Sequence, residues 1–443
     1  MLQSLFDRLL GRRPAVTAPR GTVRVVHAGT AKPPAAAPAP SAVPIGARRP
    51  LVSTQGGIAG FEFHLGEATL RRLRSRGDPA AATACASSLL GAMRLCAQNG
   101  QAAYGELPAS WLTRGSTADP LISGMHLALV DDDDKADAAV LAQRIALWRG
   151  AGAAIGWAQG TAPRFATGLR PDFHTLQARA LEPAALLQAL RSGAPGVSLI
   201  ALDLPGIDAL EAALAAGVRL ACCHIDAGVE PPEARPLTPQ TQRLLALMTQ
   251  LTRDAETPAL VAAIKADVSL SYRLLRQLNS ASVSPAGELG SIEQAVALLG
   301  RNELYRWVSV LLVQQAPARP ASAALQAMAL ARARFFELLA EAQGEARPGA
   351  LFTLGLASML PQLLRTRLPD ALASLQLHPQ AEQALLERQG PWCAYLALAE
   401  VLDESDLEEA TPLAQAFGGL PAVMAHSARA WMFATRLPSA TGG

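Results

Sequence analysis

The segment IKADVSLSYRLLRQLNSAS (264–282) repeats leucine at the spacing that puts side chains on one face of an α-helix. Ser269 is a suitable N-cap for this helix. The residues that share its apolar face are Leu270, Leu274, Leu275 and Leu278. Because a short amphipathic helix is not stable alone, we expect this face to pack against neighbouring helices.

A second segment, SIEQAVALLGRNELYRWVSVLL (291–312), has the pattern of two more helices. Ser291 and Gln294 stand at the spacing of a capping box, and Gly300 stands where a helix commonly ends. The predicted inner faces are Ile292, Ala295, Val296 and Leu299, then Leu304, Val308, Leu311 and Leu312. We expect Leu274, Leu275, Leu278, Val296 and Leu299 to be buried. On this prediction Leu275→Ala lowers the free energy of unfolding by about 2–5 kcal/mol.

The two segments together resemble the HDOD domain, an all-helical relative of the HD phosphohydrolases. The positions that carry the resemblance are Asp267, Leu270–Ser271, Arg273–Leu275, Asn279–Ala281, Ser291–Ile292, Ala295–Val296 and Leu298–Gly300. Further matches follow at Phe352–Ser358, Gln389–Pro391 and Ala430–Trp431. The resemblance implies a helical domain over residues 241–436 and a role in bacterial signal transduction, often tied to motility or biofilm.

Composition limits the function classes that fit this chain. The 443 residues carry a net charge of only +2 and no basic patch with interleaved aromatic residues, so nucleic-acid binding has no electrostatic support. No run of about 18 uninterrupted apolar residues predicts a membrane span. The five cysteines form no CxxC pair and are typical of free thiols in a reducing cytoplasm, where we expect the protein.

The first 50 residues have the composition of a tail. Residues 1–13 place Leu2, Leu5, Phe6, Leu9 and Leu10 on one helical face, with arginines around it. This segment either makes a weak contact with a membrane surface or a partner, or has no function of its own. Residues 14–50 are rich in proline and alanine and predict a linker that proteases cut first.

Residues 51–226 alternate short apolar runs with helical patterns, which favours an α/β domain with a mainly parallel sheet. The predicted strands are 57–65, 102–108, 124–130, 152–158, 198–204 and 218–225, and the predicted helices are 79–98, 135–149, 182–191 and 207–216. A proline-rich linker at 227–240 follows. The fold class predicted for the whole chain is therefore α/β plus all-α.

The α/β region resembles a degenerate EAL domain, the cyclic-di-GMP phosphodiesterase fold, which is a (β/α) barrel. Residues 60–64 stand where the Glu-Ala-Leu signature would be, and residues 200–225 resemble the last two strand–helix units. The region is shorter than a full barrel, so we expect one or more units to be missing. The resemblance implies metal-binding carboxylates on several strand ends. The aligned positions are Glu62, Glu106, Leu129 or Val130, Trp157–Ala158, Thr175 and Leu202.

Only Glu62 and Glu106 among these positions offer a carboxylate, so we predict no metal, cofactor or catalytic residue, and a structural role for Glu62. We also expect the Trp157 indole to fill the place of metal and water. For the helical region, the HD phosphohydrolases use a His-Asp dipeptide, and the chain contains none. No GxSxG, GxxxxGK[ST] or HExxH motif is present either.

These observations favour a non-enzymatic signalling adaptor that acts through protein–protein contacts. The alternative is a receptor that binds cyclic-di-GMP in the degenerate EAL-like domain without cleaving it. The candidate partner surface is a short helix with an aromatic pair and two arginines, the residue types enriched at binding hot spots. It comprises Arg301, Glu303, Tyr305, Arg306 and Trp307. The competing interpretation is that Trp307 belongs to the core.

Overall fold

The structure of the chain is a computed structural model. It describes residues 49–65, 67–76, 78–114, 121–131, 136–158, 168–178, 188, 197–225, 234–253, 255–278, 291–373, 375, 377–404 and 407–435. The predicted amphipathic segment 1–13, the linker up to residue 48, and the helix predicted at 182–191, apart from residue 188, lie outside these residues.

Eight strands close into a barrel in chain order, which confirms the predicted α/β class. The first strand is antiparallel to both of its neighbours, and the other seven run parallel. The strands are β1 (Arg49–Ser53), β2 (Ile58–Phe63), β3 (Ala102–Pro108), β4 (Met125–Val130), β5 (Ala154–Trp157), β6 (Phe173–Gln177), β7 (Ser198–Leu204) and β8 (Leu220–Cys223). The expectation that the sheet is an incomplete barrel is therefore wrong.

Two strands, β1 and β6, were not predicted from the sequence. β1 begins at Arg49, inside the stretch assigned to the linker, and it contains a proline that is unusual in a paired strand. β6 has only five residues and no apolar run. Both strands owe their existence to partners that are distant in the chain, since β1 pairs with β2 and β8 and thereby closes the barrel.

Helices cover the outside of the barrel. They are α1 (Glu67–Arg76), α2 (Pro79–Gln98), α3 (Ala109–Arg114), α4 (Ala138–Gly150) and α5 (Ile207–Ala215). Asp78 caps α2 by accepting hydrogen bonds from the next turn, and Leu89, Leu90 and Met93 of that helix are buried. Of the helices that the structure describes, α2 alone has the length and apolar composition to cross a membrane.

The described chain forms two compact units. Residues 243–311 make up one, and residues 49–242 together with 312–435 make up the other. The C-terminal helices belong to the same compact unit as the barrel, and the limits of 51–226 and 241–436 remain a prediction. The helices after the barrel are α6 (Pro239–Thr252), α7 (Thr257–Lys265), α8 (Val268–Leu278), α9 (Ile292–Val313), α10 (Ser322–Gln343), α11 (Pro348–Ala357), α12 (Leu360–Leu364), α13 (Leu368–Ala373), α14 (Pro379–Leu386), α15 (Cys393–Asp403), α16 (Leu407–Gln415) and α17 (Leu420–Ala434).

The C-terminal helices are tied to the barrel by apolar and charged contacts. The ring of Trp431 in α17 lies edge-on to that of Phe61 in β2, with centroids 5.2 Å apart. Arg319 binds Glu211 of α5 at 2.7 Å, and the backbone N–H of Ala324 donates to the Gly56 carbonyl at 3.0 Å. The helices 312–435 are therefore part of the barrel's own packing.

The helices predicted from segments 264–282 and 291–312 are present with small changes. Asp267, not Ser269, caps α8, because its carboxylate accepts from the Leu270 N–H at 3.0 Å. Ser291 accepts from the Gln294 N–H at 3.2 Å as predicted, and Gly300 interrupts α9 with a φ of 70°. That left-handed conformation suits glycine and separates the two predicted helices.

Burial in this unit follows the predicted face with one exception. Leu274, Leu278, Val296 and Leu299 are buried, as are all four residues of the inner face after Gly300. Leu275 is only half-buried. It lies one residue, or about 100° of helix rotation, from the line through Leu270, Leu274 and Leu278.

We expect Leu274→Ala to lower the free energy of unfolding by about 2–5 kcal/mol, because it leaves a cavity in the core of the unit. Leu275→Ala should lower it by about half as much or less, since its side chain stays partly in water. This corrects the larger value expected for Leu275 from the sequence. Urea denaturation of both variants measures the difference, and equal losses would contradict the face assignment.

Candidate functional site at the mouth of the barrel

The carboxyl ends of parallel strands in such barrels are where functional groups usually gather. β1 runs against the other strands, so its first residue, Arg49, lies at this same end. We call the polar side chains gathered there the mouth cluster. It consists of Arg49, Glu62, His64, Tyr104, Glu106, Thr175, Gln177, Asp203 and His224.

Arg49 is the centre of the mouth cluster. It lies opposite Glu62 in the β1–β2 register, and its Nε donates to Glu62 Oε2 at 2.8 Å. Its Nη2 is 2.6 Å from the same oxygen, while Nη1 binds the Asp203 carboxylate. Arg49 is 3% exposed and Glu62 is 0% exposed. One guanidinium is therefore shared by two carboxylates, of which Glu62 is fully buried and Asp203 is partly exposed.

Glu62 is held in its ionised form. Burial by itself would raise its pKa, but nearby His64 and Arg49 outweigh burial and lower the pKa of Glu62 to about 2. His64 Nε2 lies 2.6 Å from Oε1, the oxygen that Arg49 leaves free. Each oxygen of this carboxylate thus lies beside a basic side chain of the same chain.

Asp203 enters the mouth through an irregularity in β7. The pairing of β7 with β8 shifts between Ala201 and Leu204, and Asp203 has a φ of 57°. Its Oδ1 lies 3.3 Å from His224 Nε2 and also contacts Arg49. Burial opposes ionisation, but His224 and Arg49 hold the pKa of Asp203 well below its usual range. The residue aligned with this position from the sequence is Leu202, and the neighbouring Asp203 carries the carboxylate instead.

Glu106 belongs to a second group across the mouth. The Tyr104 hydroxyl donates to Glu106 Oε1 at 2.5 Å and lies 3.0 Å from Thr175 Oγ1. Gln177 Nε2 donates to the same glutamate oxygen at 3.4 Å. Burial raises the pKa of Glu106 in spite of these hydrogen bonds. Glu106 is therefore less ready than an exposed carboxylate to bind a cation.

Two of the positions aligned from the sequence do not face the mouth. Leu129 and Trp157 pack in the core between the barrel and its outer helices. The prediction that the Trp157 indole fills the place of metal and water is wrong, whereas the neighbouring Ala158 does pack against the barrel interior. Alternate residues of a strand face opposite sides, so an alignment error of one residue exchanges inside for outside.

The mouth cluster does not fit the divalent metals that the EAL resemblance implies. Within the described ranges, no three His, Cys, Asp or Glu side chains are arranged to hold a metal ion. Glu62 and Asp203, the two carboxylates with lowered pKa values, share the Arg49 guanidinium instead. A fixed positive side chain thus lies among the oxygens that a metal would need.

A pocket adjoins the mouth cluster, between β1, β8 and the C-terminal helices α10, α15 and α17. Arg332 of α10 and Asp403 at the end of α15 form an ion pair on its wall. Its other walls include Arg49, Cys223, Phe335 and Trp431. The pocket is therefore built jointly by the barrel and the C-terminal helices.

Most residues of the candidate partner surface at 301–307 are buried or bonded within the protein. Glu303 and Tyr305 are buried, and Arg306 binds Glu303 at 2.9 Å. Arg301 donates to the Ala255 carbonyl at 2.6 Å, and Trp307 is half-buried. These residues do not form the exposed aromatic pair that the prediction requires.

Comparison with known proteins adds the family of the helical region. Residues 236–389 match the family model of the HDOD domain. One stretch of 152 residues is 30% identical to the uncharacterized protein YuxH of Bacillus subtilis and covers 34% of this chain and 37% of that protein. Another, of 141 residues, is 31% identical to the cyclic di-GMP phosphodiesterase CdgJ of Vibrio cholerae and covers 32% of each chain. The chain thus matches about a third of the length of each relative.

Similar solved structures include an EAL domain protein from Listeria monocytogenes, at 10% identity and a TM-score of 0.33 over 40% of this chain and 85% of that one. The EAL domain of Xanthomonas citri FimX, in complex with c-diGMP, gives 10% identity and a TM-score of 0.31, over 40% and 84% of the two chains. The chain combines a closed α/β barrel with helices, and it carries an HDOD domain at residues 236–389.

Acid should weaken the Arg49–Glu62 pair, because the pKa of Glu62 is lower in the folded protein than in the unfolded chain. The folded value of about 2 lies below the usual 4.5, so the stabilisation is complete above about pH 4.5 and is lost as pH falls toward 2. This difference between the two pKa values corresponds to roughly 3 kcal/mol of the free energy of unfolding. We expect the stability gap between the wild type and Glu62→Gln to narrow over that range in urea denaturation.

Glu408→Gln is the matched control for this pH dependence, because Glu408 pairs with Arg71 at an exposed site. It should keep the acid profile of the wild type. A gap between wild type and Glu62→Gln that stays constant from about pH 5 to about pH 2 would show that Glu62 is not held ionised.

Proposed function

We propose that this chain is a non-catalytic regulator of bacterial signal transduction that acts through protein–protein contacts in cyclic-di-GMP signalling. The observation that carries the proposal is the Arg49 guanidinium, bound to both Glu62 and Asp203 at the barrel mouth. The HDOD match and the similarity to the cyclic di-GMP phosphodiesterase CdgJ support the signalling context. Motility and biofilm formation are the processes in which we expect it to act.

The chemistry of phosphodiester hydrolysis explains why Arg49 supports this proposal. Metal-assisted hydrolysis needs ionised carboxylates that converge on metal ions about 4 Å apart. Two of the three mouth carboxylates are already bound to Arg49, and the third, Glu106, has a raised pKa and accepts from Tyr104. To bind a metal, the mouth would have to release a buried arginine, which is strongly unfavourable.

A second candidate function is a receptor that binds cyclic-di-GMP without cleaving it. The observation in its favour is the pocket beside the mouth, where Arg332 and Arg49 stand near Phe335 and Trp431. Arginine and aromatic rings are suitable partners for phosphate and for nucleobases. Against it, both arginines are already bound to carboxylates.

Labelled cyclic-di-GMP separates these functions. The full chain is incubated with the nucleotide in Mg²⁺ or Mn²⁺, hydrolysis is followed by chromatography, and binding is followed by equilibrium dialysis. We expect neither hydrolysis nor binding. Binding without hydrolysis that is weakened by Arg332→Ala would support the receptor function. Metal-dependent hydrolysis that disappears in Glu62→Gln would overturn the non-catalytic proposal, and CdgJ serves as the active control for the assay.

A further inference from the structure

Helix α8 has a second apolar face, and that face is turned to water. Its buried face is the line Leu270, Leu274 and Leu278, which lies in the core of the 243–311 unit. Val268 and Tyr272 are four residues apart on another side of the helix and are 82% and 62% exposed. The leucine repeat dominates the helical pattern of this segment, so the sequence did not indicate Val268 and Tyr272 as a second apolar pair.

This pairing distinguishes α8 from the other described helices. Single exposed apolar residues are normal and need no explanation. Leu95, Leu147, Leu298, Leu386 and Met432 are exposed in that way, each on a different helix. Within the described ranges, α8 is the one helix that exposes two large apolar side chains.

The same face of α8 carries uncompensated positive charge. Arg273 and Arg276 are exposed, and in the described part of the chain neither forms an ion pair. The Arg276 guanidinium lies 5.8 Å from the centre of the Tyr272 ring, a cation–π distance. Cations near the N-terminal end of this helix are paired instead, since Arg243 pairs with Asp267 and Lys265 pairs with Glu293.

We infer that Val268, Tyr272, Arg273 and Arg276 form a docking surface for an acidic, amphipathic segment of a partner protein. The inference rests on the proposed function as a protein–protein regulator and names the kind of partner. Tyrosine and arginine are the residue types that carry most binding energy at interfaces. Two unpaired arginines beside an apolar pair select a partner whose carboxylates flank aliphatic or aromatic side chains.

The surface replaces the partner surface expected at 301–307, where Glu303 and Tyr305 are buried. An arginine that is already bonded within the protein, such as Arg301 or Arg306, must lose that bond before it can bind a partner. Arg273 and Arg276 have no such bond to lose within the described structure, and the Tyr272 ring is already in water.

A random peptide library displayed on phage tests the inference with the full chain. Selection is run on the wild type alone, and the peptides retained are then measured on the wild type and on Tyr272→Ala/Arg276→Glu. We expect the retained peptides to be enriched in Asp and Glu next to Leu, Phe or Trp. A synthetic peptide of that kind should bind the double variant about tenfold or more weakly, and should bind the wild type more weakly as salt rises.

Two controls keep the result interpretable. Both substituted side chains are exposed, so the double variant should keep the circular dichroism spectrum and melting temperature of the wild type. Leu147→Ala, which removes an exposed leucine from α4, should bind the selected peptide as the wild type does.

Three results would overturn the inference: selected peptides without acidic residues, equal binding to the double variant, or no selected peptide at all. In the last case, short single-stranded DNA and vesicles of phosphatidylserine are tried, and loss of their binding in the double variant would assign the surface to phosphate ligands instead. The cyclic-di-GMP hydrolysis assay tests the barrel mouth, whereas the peptide selection tests α8. Failure of the proposed function and failure of this inference are therefore seen in different experiments.

Discussion

Arg49→Met lowers the free energy of unfolding by about 3–5 kcal/mol, because it removes the arginine that pairs with the buried Glu62 and its neighbour Asp203. Glu62 is fully buried, and Asp203 is mostly buried beside it. Methionine keeps much of the side-chain volume, so the loss reports charge rather than packing. Guanidinium chloride denaturation at neutral pH measures this effect.

Two comparisons test whether the effect of Arg49 comes from the buried charges. Arg71→Met removes an exposed pair with Glu408 and should lower stability by no more than about 1 kcal/mol. Arg49→Met/Glu62→Gln should be more stable than Arg49→Met, because the amide removes the unpaired charge. If Arg49→Met loses less than about 1 kcal/mol, the mouth cluster does not depend on this pair.

A chain that ends after Gln242 should fail to fold cooperatively, although it contains all eight strands. The C-terminal helices 312–435 cover β1 and β2, where Trp431 packs on Phe61 and the Ala324 N–H binds the Gly56 carbonyl. Without them, these apolar and polar groups are exposed at the strands that close the barrel. Far-UV circular dichroism during heating distinguishes a broad, weak transition from a cooperative one.

Co-expression of residues 312–435 with the shortened chain should restore a cooperative transition, because the missing contacts form between two pieces of the same compact unit. Trp431→Ala in the full chain should shift the melting temperature downward, since it removes the ring that packs on Phe61. A sharp, reversible transition for the shortened chain alone would show that the barrel is an independent domain.

The sequence by itself determined the elements whose stability is local. The leucine repeat of α8, the Ser291 cap and the glycine at position 300 are read within a few residues, and the structure contains all three. Strands such as 102–108 and 198–204 were predicted with their observed limits, because both are apolar runs between turn signals.

Tertiary structure decided what depends on residues distant in the chain. β1 exists because β2 and β8 pair with it, and this pairing is what brings Arg49 beside Glu62. Asp203 reaches the mouth through a shift in strand pairing and a positive φ, neither of which leaves a sequence signal. The periodicity of a strand or helix defines its faces, but the partner that covers each face is chosen by the whole fold. The charge pairing at the mouth and the exposed face of α8 were therefore visible only in three dimensions.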